Sequence, residues 1–471
     1  MKQMREHWGS KIGFILATAG SAIGLGSLWR FPYVTGQNGG GLFVLLYLVF
    51  TFFIALPVFI GELIIGRSSQ LSAVGAFSKL SNESPKWKLL GWLTVLTTFL
   101  ILSYYCVVSG WCVNYIFLSL THFTEGKNPE QIRAVFDTLQ ASGDINLFWA
   151  FIFVICNVGV VCGGVRKGIE YWSRMLTPAL MCILVSLFIF STTLDGFGQA
   201  FRFVFYPDCS TFSASSVLHA LGMSFFTLSV GLGIILTYGS YMSPSENIAK
   251  TGLIVSSMTV LVSLMSAMMI FPIIFTFGIQ PQAGAGLVFK TLPILFAKLP
   301  GSLVISTIFF VLLVFTSFTS SISLFEVLVA NLMELFKWQR IKAVIISSST
   351  VFLFSIPSAL SGSSSLFANW KSMYGQTFFE TLDYVTGNWM LLFSALFTTL
   401  FIGWVMRRQT IYEEFLKGSR LSKIMYIWFF MMRWLAPIAI LLIILEEAKL
   451  IDINLFSNYC HIPSNTIKGG I

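Results

Sequence analysis

Charge is what this sequence lacks. Of its 471 residues only 10% are Asp, Glu, Lys or Arg, against about 25% in soluble chains. A water-soluble enzyme or nucleic-acid binder is therefore not expected. Histidine is scarce, and His7, His122, His219 and His461 fall at no metal-ligand spacing. The seven cysteines sit mostly inside apolar runs (Cys106, Cys112, Cys156, Cys162, Cys182), so no disulfide or zinc framework is legible. No His-Ser-Asp set or Cys-x-x-Cys points to catalysis. What is present is apolar: 56% hydrophobic residues, 47 Phe, 13 Trp and a mean hydropathy of +0.81. At about 20 apolar residues per span, that content supplies ten or more transmembrane helices.

Apolar runs lie at 11–35, 42–66, 89–121, 146–163, 173–194, 214–241, 248–278, 301–333, 341–357, 377–406 and 426–448, numbered here spans 1 to 11. Span 1 is too long for a cleavable signal and leads into Arg30-Phe31-Pro32 rather than a small-residue cleavage site. The net charge of +9 comes from 29 Lys+Arg against 20 Asp+Glu. Nineteen of the 29 cations fall on the N-terminus and every second loop, and eight on the other loops and tail. Arg30 and Arg433 lie in or at spans. The basic excess is thus a topology signal rather than a nucleic-acid footprint. It places the N-terminus in the cytoplasm and, after eleven spans, the C-terminus outside.

Two spans carry residues that weaken a helix. Span 1 contains Gly20-Ser21-Ala22-Ile23-Gly24-Leu25-Gly26-Ser27, and span 6 contains Phe226-Thr227-Leu228-Ser229-Val230-Gly231-Leu232-Gly233. Each glycine costs up to about 1 kcal/mol of helix stability relative to alanine. One such span reads as close helix packing through small residues. Two of them, five spans apart, read better as broken helices lining a cavity and suggest a five-plus-five inverted repeat. Span 8 adds Thr316-Ser317-Phe318-Thr319-Ser320-Ser321-Ile322-Ser323. These are either hard oxygen donors for a small monovalent cation or hydroxyls bonded back to their own helix. The charges inside spans, Arg30, Glu62, Glu326 and Asp383, are by default pairing or pathway residues.

The sequence resembles the neurotransmitter:sodium symporter family. The resemblance is carried by Trp8-Gly9-Ser10-Lys11-Ile12-Gly13-Phe14, Gly24-Leu25-Gly26, Trp29-Arg30-Phe31-Pro32-Tyr33 and Asn38-Gly39-Gly40-Gly41. Pro57…Glu62…Gly66-Arg67, Tyr104-Tyr105…Trp111, Phe225-Phe226-Thr227-Leu228-Ser229 and Thr319-Ser320-Ser321 continue it over nearly the whole chain. It implies an all-α integral membrane protein of about 11 transmembrane helices. The LeuT-like five-plus-five repeat, with broken spans 1 and 6, would run over about 8–195 and 214–407 of a single domain 1–471, with an extra span at 426–448.

The resemblance also implies sites. The second sodium site would use carbonyls of Gly20, Ile23 and Thr316 and hydroxyls of Thr319 and Ser320. The first would use Ala22 and Thr227, but Ser27 and Thr259 stand where the family has an amide or carboxylate. That leaves one or two sodium ions per cycle open. Tyr47, Thr227 and Ser263 match positions that hold chloride in animal members, yet Met223 replaces the expected glutamine, which leans against a tight chloride site. Gly24 replaces the aspartate of monoamine carriers, so the substrate brings its own carboxylate. A neutral, hydrophobic amino acid would have its carboxylate at Tyr105, Leu25 and Gly26 and its amine at Ala22, Phe226, Thr227 and Ser229. Its side chain would lie against Ile101, Phe226, Leu232, Ser320 and Leu324.

The outer gate would comprise Arg30, Asp383, Tyr105 and Phe226, and the inner gate Arg5, Ser240, Tyr241 and Glu334. Glu62 is expected to brace the unwound part of span 1. The function implied is sodium-coupled amino-acid uptake by a monomer or homodimer in the cytoplasmic (inner) membrane. The rivals are a transporter-derived sensor and a ligand-gated channel.

Overall fold

The computed structural model describes residues 6–208, 213–278, 286–363, 369–418 and 422–450. Among these, nine continuous helices are long and apolar enough to cross a membrane. A further crossing is a bent pair, Lys11–Ala22 and Gly26–Gln37, whose axes meet at 52°. The sixth apolar run is two short helices, Ala214–Thr227 and Ile234–Gly239, neither able to cross alone. The continuous spans are 2 (Gly41–Ser69), 3 (Pro85–Leu120), 4 (Gly143–Cys162), 5 (Val165–Ser191), 7 (Ile248–Phe277), 8 (Ser302–Phe336), 9 (Arg340–Leu360), 10 (Phe378–Val405) and 11 (Lys423–Glu447).

Two spans begin where a polar side chain takes an orphan N–H. Ser10 accepts from Gly13 N–H ahead of span 1, and Asn247 from Lys250 N–H ahead of span 7. Span 5 starts at Val165 rather than near 173. Its first turn, Val165–Glu170, is π-helical and buries Val165, Gly168, Ile169 and Glu170, while Arg166 and Lys167 face out. Hydropathy alone reads those two cations as loop.

Spans 1 and 6 lie at the centre. Span 8 packs along span 3 and also against spans 1 and 5. Span 2 docks on Ile234–Gly239 so closely that a Cβ on Gly66 would fall 2.0 Å from the Leu236 carbonyl oxygen. At the end of span 2, Arg67 is buried; its Nε donates to Glu414 at 2.6 Å and its NH1 to the Glu246 carbonyl at 2.5 Å. This clamp ties span 2 to the helix Arg408–Leu416 at the face that carries most of the cations, called here the basic face.

Gly66→Ala should therefore force span 2 off Ile234–Gly239, at an overpacking cost of about 1–3 kcal/mol. Gly159, with no atom within 4 Å of an added Cβ, should accept alanine with equal or better stability. Melting of the two detergent-solubilised variants checks this; equal melting temperatures would refute the close docking.

Candidate functional site

Span 1 stops being helical at Ile23. Its N–H still reaches Ala19, but Gly24 N–H turns to the Ala22 carbonyl at 2.9 Å, which frees the Gly20 carbonyl from its usual donor. Helix resumes beyond Leu25. In span 6 the break runs from Leu228 to Gly233, with Ser229, Gly231 and Gly233 at φ of 53°, 87° and 69°. That left-handed backbone is why two of the three are glycine.

Neighbouring spans hold this segment. Glu62 Oε1 accepts from Gly231 N–H at 2.7 Å, Ser394 Oγ donates to the Gly231 carbonyl at 2.7 Å, and Thr98 Oγ1 donates to the Leu232 carbonyl at 2.5 Å. Glu62 thus braces span 6, and not span 1 as the sequence reading had it.

Between the breaks lies a cavity of about 910 Å³. All twelve residues named above for the substrate line it: Ala22, Gly24, Leu25, Gly26, Ile101, Tyr105, Phe226, Thr227, Ser229, Leu232, Ser320 and Leu324. The acids in its lining are Asp137, Glu380 and Asp383, each outward of the breaks in the fold. The Tyr105 hydroxyl is shielded from solvent without a hydrogen-bond partner, near Ser320 and the Leu25 amide. Ser21 Oγ is likewise buried and unpartnered; the sequence reading placed it in the break but gave it no role.

The oxygen-rich positions behave differently. Gly20 packs on Thr319, whose Cβ would lie 3.4 Å from an added Cβ. Thr319 Oγ1 donates to the Thr316 carbonyl at 3.0 Å, and Ser320 Oγ to the Ser21 carbonyl at 3.0 Å. Ile23 and Thr316 are fully buried, and the carbonyl and hydroxyl oxygens of these residues are neutral and hard, a chemistry that suits a monovalent cation. Of the doubtful set, Ser27 Oγ is buried without a partner, Thr259 Oγ1 donates to its own helix at Val255, and Ala22 is buried. Tyr47 donates to Thr227 Oγ1 at 3.1 Å and lies 3.3 Å from Ser263 Oγ, so the three chloride candidates converge around one phenol.

Away from the basic face the cavity is open. Arg30 does not reach Asp383: its guanidinium lies 4.4 Å from the Phe226 ring centroid, and Asp383 accepts from Tyr104 at 2.9 Å. The expected pair is unmade because the cavity passes between its partners.

Toward the basic face the protein is shut. Trp8 stacks edge-on against Tyr238 at 5.0 Å and donates from Nε1 to the Tyr238 carbonyl at 3.1 Å. Its N–H meets the Tyr241 carbonyl, and Tyr241 donates to Glu326 at 2.7 Å. Arg340 closes an ion pair on that same buried carboxylate. Glu334 accepts Ser72 N–H at 2.9 Å, and Ser240 Oγ donates to Thr237 at 2.5 Å. Arg5 lies outside the described residues. The sequence reading missed Trp8, Glu326 and Arg340 as parts of this plug, although an acid inside span 8 was a signal that it needed a cation.

Comparison with known proteins agrees with this geometry. A sequence model of the sodium:neurotransmitter symporter family matches residues 5–130 and 123–468. The chain is 35% identical over 448 residues to YhdH of Bacillus subtilis, described as an uncharacterised sodium-dependent transporter, covering 94% of this chain and 98% of the relative. A similarly described protein of Haemophilus influenzae is 32% identical over 456 residues, with coverage of 94% and 98%. Among solved structures, MhsT in complex with L-phenylalanine superposes with a TM-score of 0.86 at 37% identity, covering 94% of this chain and 99% of MhsT. With its broken spans 1 and 6 and its LeuT-like fold, the chain belongs to the sodium:neurotransmitter symporter family and is a sodium-dependent, multi-pass membrane symporter, not an enzyme.

Proposed function

We propose that the protein takes up a neutral, hydrophobic α-amino acid with sodium by alternating access, with the basic face cytoplasmic and the C-terminus outside. The observation that carries this reading is the cavity floor, which is apolar, lacks a carboxylate, and keeps the unpaired Tyr105 hydroxyl beside the Leu25 amide. A carboxylate brought by the substrate answers that hydroxyl and the positive end of the half-helix starting there. Its ammonium meets the carbonyl oxygens of Ala22 and Phe226 at the breaks, each of which accepts one backbone N–H and keeps a second lone pair, and Ile101, Leu232 and Leu324 receive the side chain. The crystallised phenylalanine complex of MhsT supports the same substrate class.

In this reading Gly20, Ile23, Thr316, Thr319 and Ser320 hold one sodium ion. A second at Ala22, Ser27, Thr227 and Thr259 is weaker, because two hydroxyls replace longer donors. The conformation is outward-facing: substrate entry draws Arg30 and Asp383 together over Phe226, and release of sodium frees the Trp8–Tyr241–Glu326 plug. The two repeats span about 8–195 and 214–407.

Uptake of labelled neutral amino acids into proteoliposomes under an inward sodium gradient tests this directly. Accumulation above equilibrium is expected, whereas sodium-dependent binding without accumulation would indicate a sensor. Thr319→Val with Ser320→Ala should weaken sodium activation by at least about a hundredfold, two ion contacts at about 1.5–3 kcal/mol each; unchanged sodium dependence in that double variant sinks the second-site assignment. Tyr105→Phe should raise the amino-acid KM by roughly tenfold or more at saturating sodium, the loss of one hydrogen bond to a charged group. A KM equal to that of the unsubstituted protein would remove the carboxylate from Tyr105.

A further inference from the structure

Span 11 carries one cation inside its apolar run, Arg433. An arginine within a spanning helix normally meets a carboxylate, a carbonyl or water. Arg433 makes no hydrogen bond or ion pair among the described residues, and its Nε is sealed from solvent without a partner. Its backbone presses on span 10, where a Cβ on Gly403 would lie 3.0 Å from Arg433 Cα. The guanidinium carbon stands 4.2 Å from the Trp404 ring centroid and 5.9 Å from that of Trp434. Those indoles meet edge-on at 5.0 Å and are 51% and 46% exposed, so the cluster sits on the outer wall of the bundle rather than in its core.

A second cation meets span 11 about one turn away in sequence. Arg408 places its guanidinium 5.7 Å from the Phe429 ring, and Phe429 is one turn before Arg433, on the same strip of the helix. No acid among the described residues answers them. Glu413 bonds to Gln409, and Glu414 is taken by Arg67 and Lys417. Asp452, the one acidic residue outside the described ones, follows the far end of span 11 in sequence. Side chains lean toward a helix's N-terminus, and that end of span 11 lies at the basic face.

We propose that Arg433 and Arg408, framed by Trp404 and Trp434, hold the phosphate of an acidic phospholipid in the leaflet at the basic face. A guanidinium binds phosphate oxygens in pairs, and indoles settle at headgroup depth. Half-exposed indoles and the exposed Phe430 and Ile427 beside them suit acyl chains, which free phosphate lacks. The site lies on spans 10 and 11 and the start of the helix Arg408–Leu416 between them, outside the cavity lining, and does not depend on the substrate reading.

Native mass spectrometry of the full-length protein, loaded with phosphatidylglycerol or phosphatidylcholine and then washed, tests the site. Phosphatidylglycerol should be retained over phosphatidylcholine, and an excess of inorganic phosphate should not displace it. Arg433→Gln and Arg408→Gln should each cut retention roughly tenfold, the loss of one charge-assisted contact, while Arg174→Gln, an exposed cation elsewhere on that face, should not. Equal retention in both variants overturns the proposal. So does displacement by inorganic phosphate, which would indicate a free-anion site, or loss of dimer peaks in Arg433→Gln with lipid unchanged, which would assign the arginine to a subunit contact. If Arg433→Gln fails to insert, Arg408→Gln at its exposed position decides alone.

Discussion

Two helices interrupted inside an apolar protein expose backbone N–H and C=O groups that lipid cannot satisfy, and the packing is organised around answering them. An unanswered buried amide costs several kcal/mol. The answers come from four directions: Glu62 on span 2, Thr98 on span 3, Ser320 on span 8 and Ser394 on span 10. Each bond fixes a span against a break, so the cavity's walls are set by the same contacts that make its floor tolerable. Around the breaks, the buried hydroxyls of Tyr105, Ser21 and Ser27, all on the cavity wall, are left without a hydrogen-bond partner. That is the property expected of a site completed by its cargo.

The closed side is linked to the floor by direct contact. Ser323 Oγ donates to the Thr319 carbonyl at 3.0 Å and lies 2.6 Å from the Tyr238 hydroxyl. The Tyr238 carbonyl in turn accepts from Trp8. A residue proposed for sodium is therefore three side chains from the indole that plugs the exit. Contiguity is not coupling, but here each member has a specific polar partner that must be exchanged if the plug withdraws. Glu326 makes the exchange costly: a buried carboxylate holding both Tyr241 and Arg340 cannot be left unpaired without a large penalty. The plug is thus held by paired, buried charge rather than by loose packing.

The sequence made the spans legible because lipid imposes a length and a composition on each. It made the breaks legible because two glycine-rich stretches recur five spans apart, where close packing alone would account for one. The boundary of span 5 was not legible, since Arg166 and Lys167 read as loop although one face of that turn is buried. Long-range partners were harder still. Glu62 meets Gly231 across 169 residues, and nothing local distinguishes that from a bond to span 1. Arg30 and Asp383 could be placed at one mouth of the cavity, but whether they touch depends on a conformational state that composition does not encode. Glu326 announced its need for a cation, and only the fold identified Arg340.

Electrostatics links the proposed substrate to the proposed ion count. The sodium positions offer neutral oxygens, so they do not cancel the ion's charge, and Gly24 offers no carboxylate in its place. A zwitterionic amino acid contributes one carboxylate near the ion and one ammonium near the span 6 carbonyls, and the loaded cavity keeps a net charge of one per sodium. Moving that charge through 100 mV is worth about 2.3 kcal/mol, roughly a fiftyfold concentration ratio before the sodium gradient is counted. A single well-formed sodium site is therefore enough to drive accumulation, and the short donors at Ser27 and Thr259 need not abolish uphill transport.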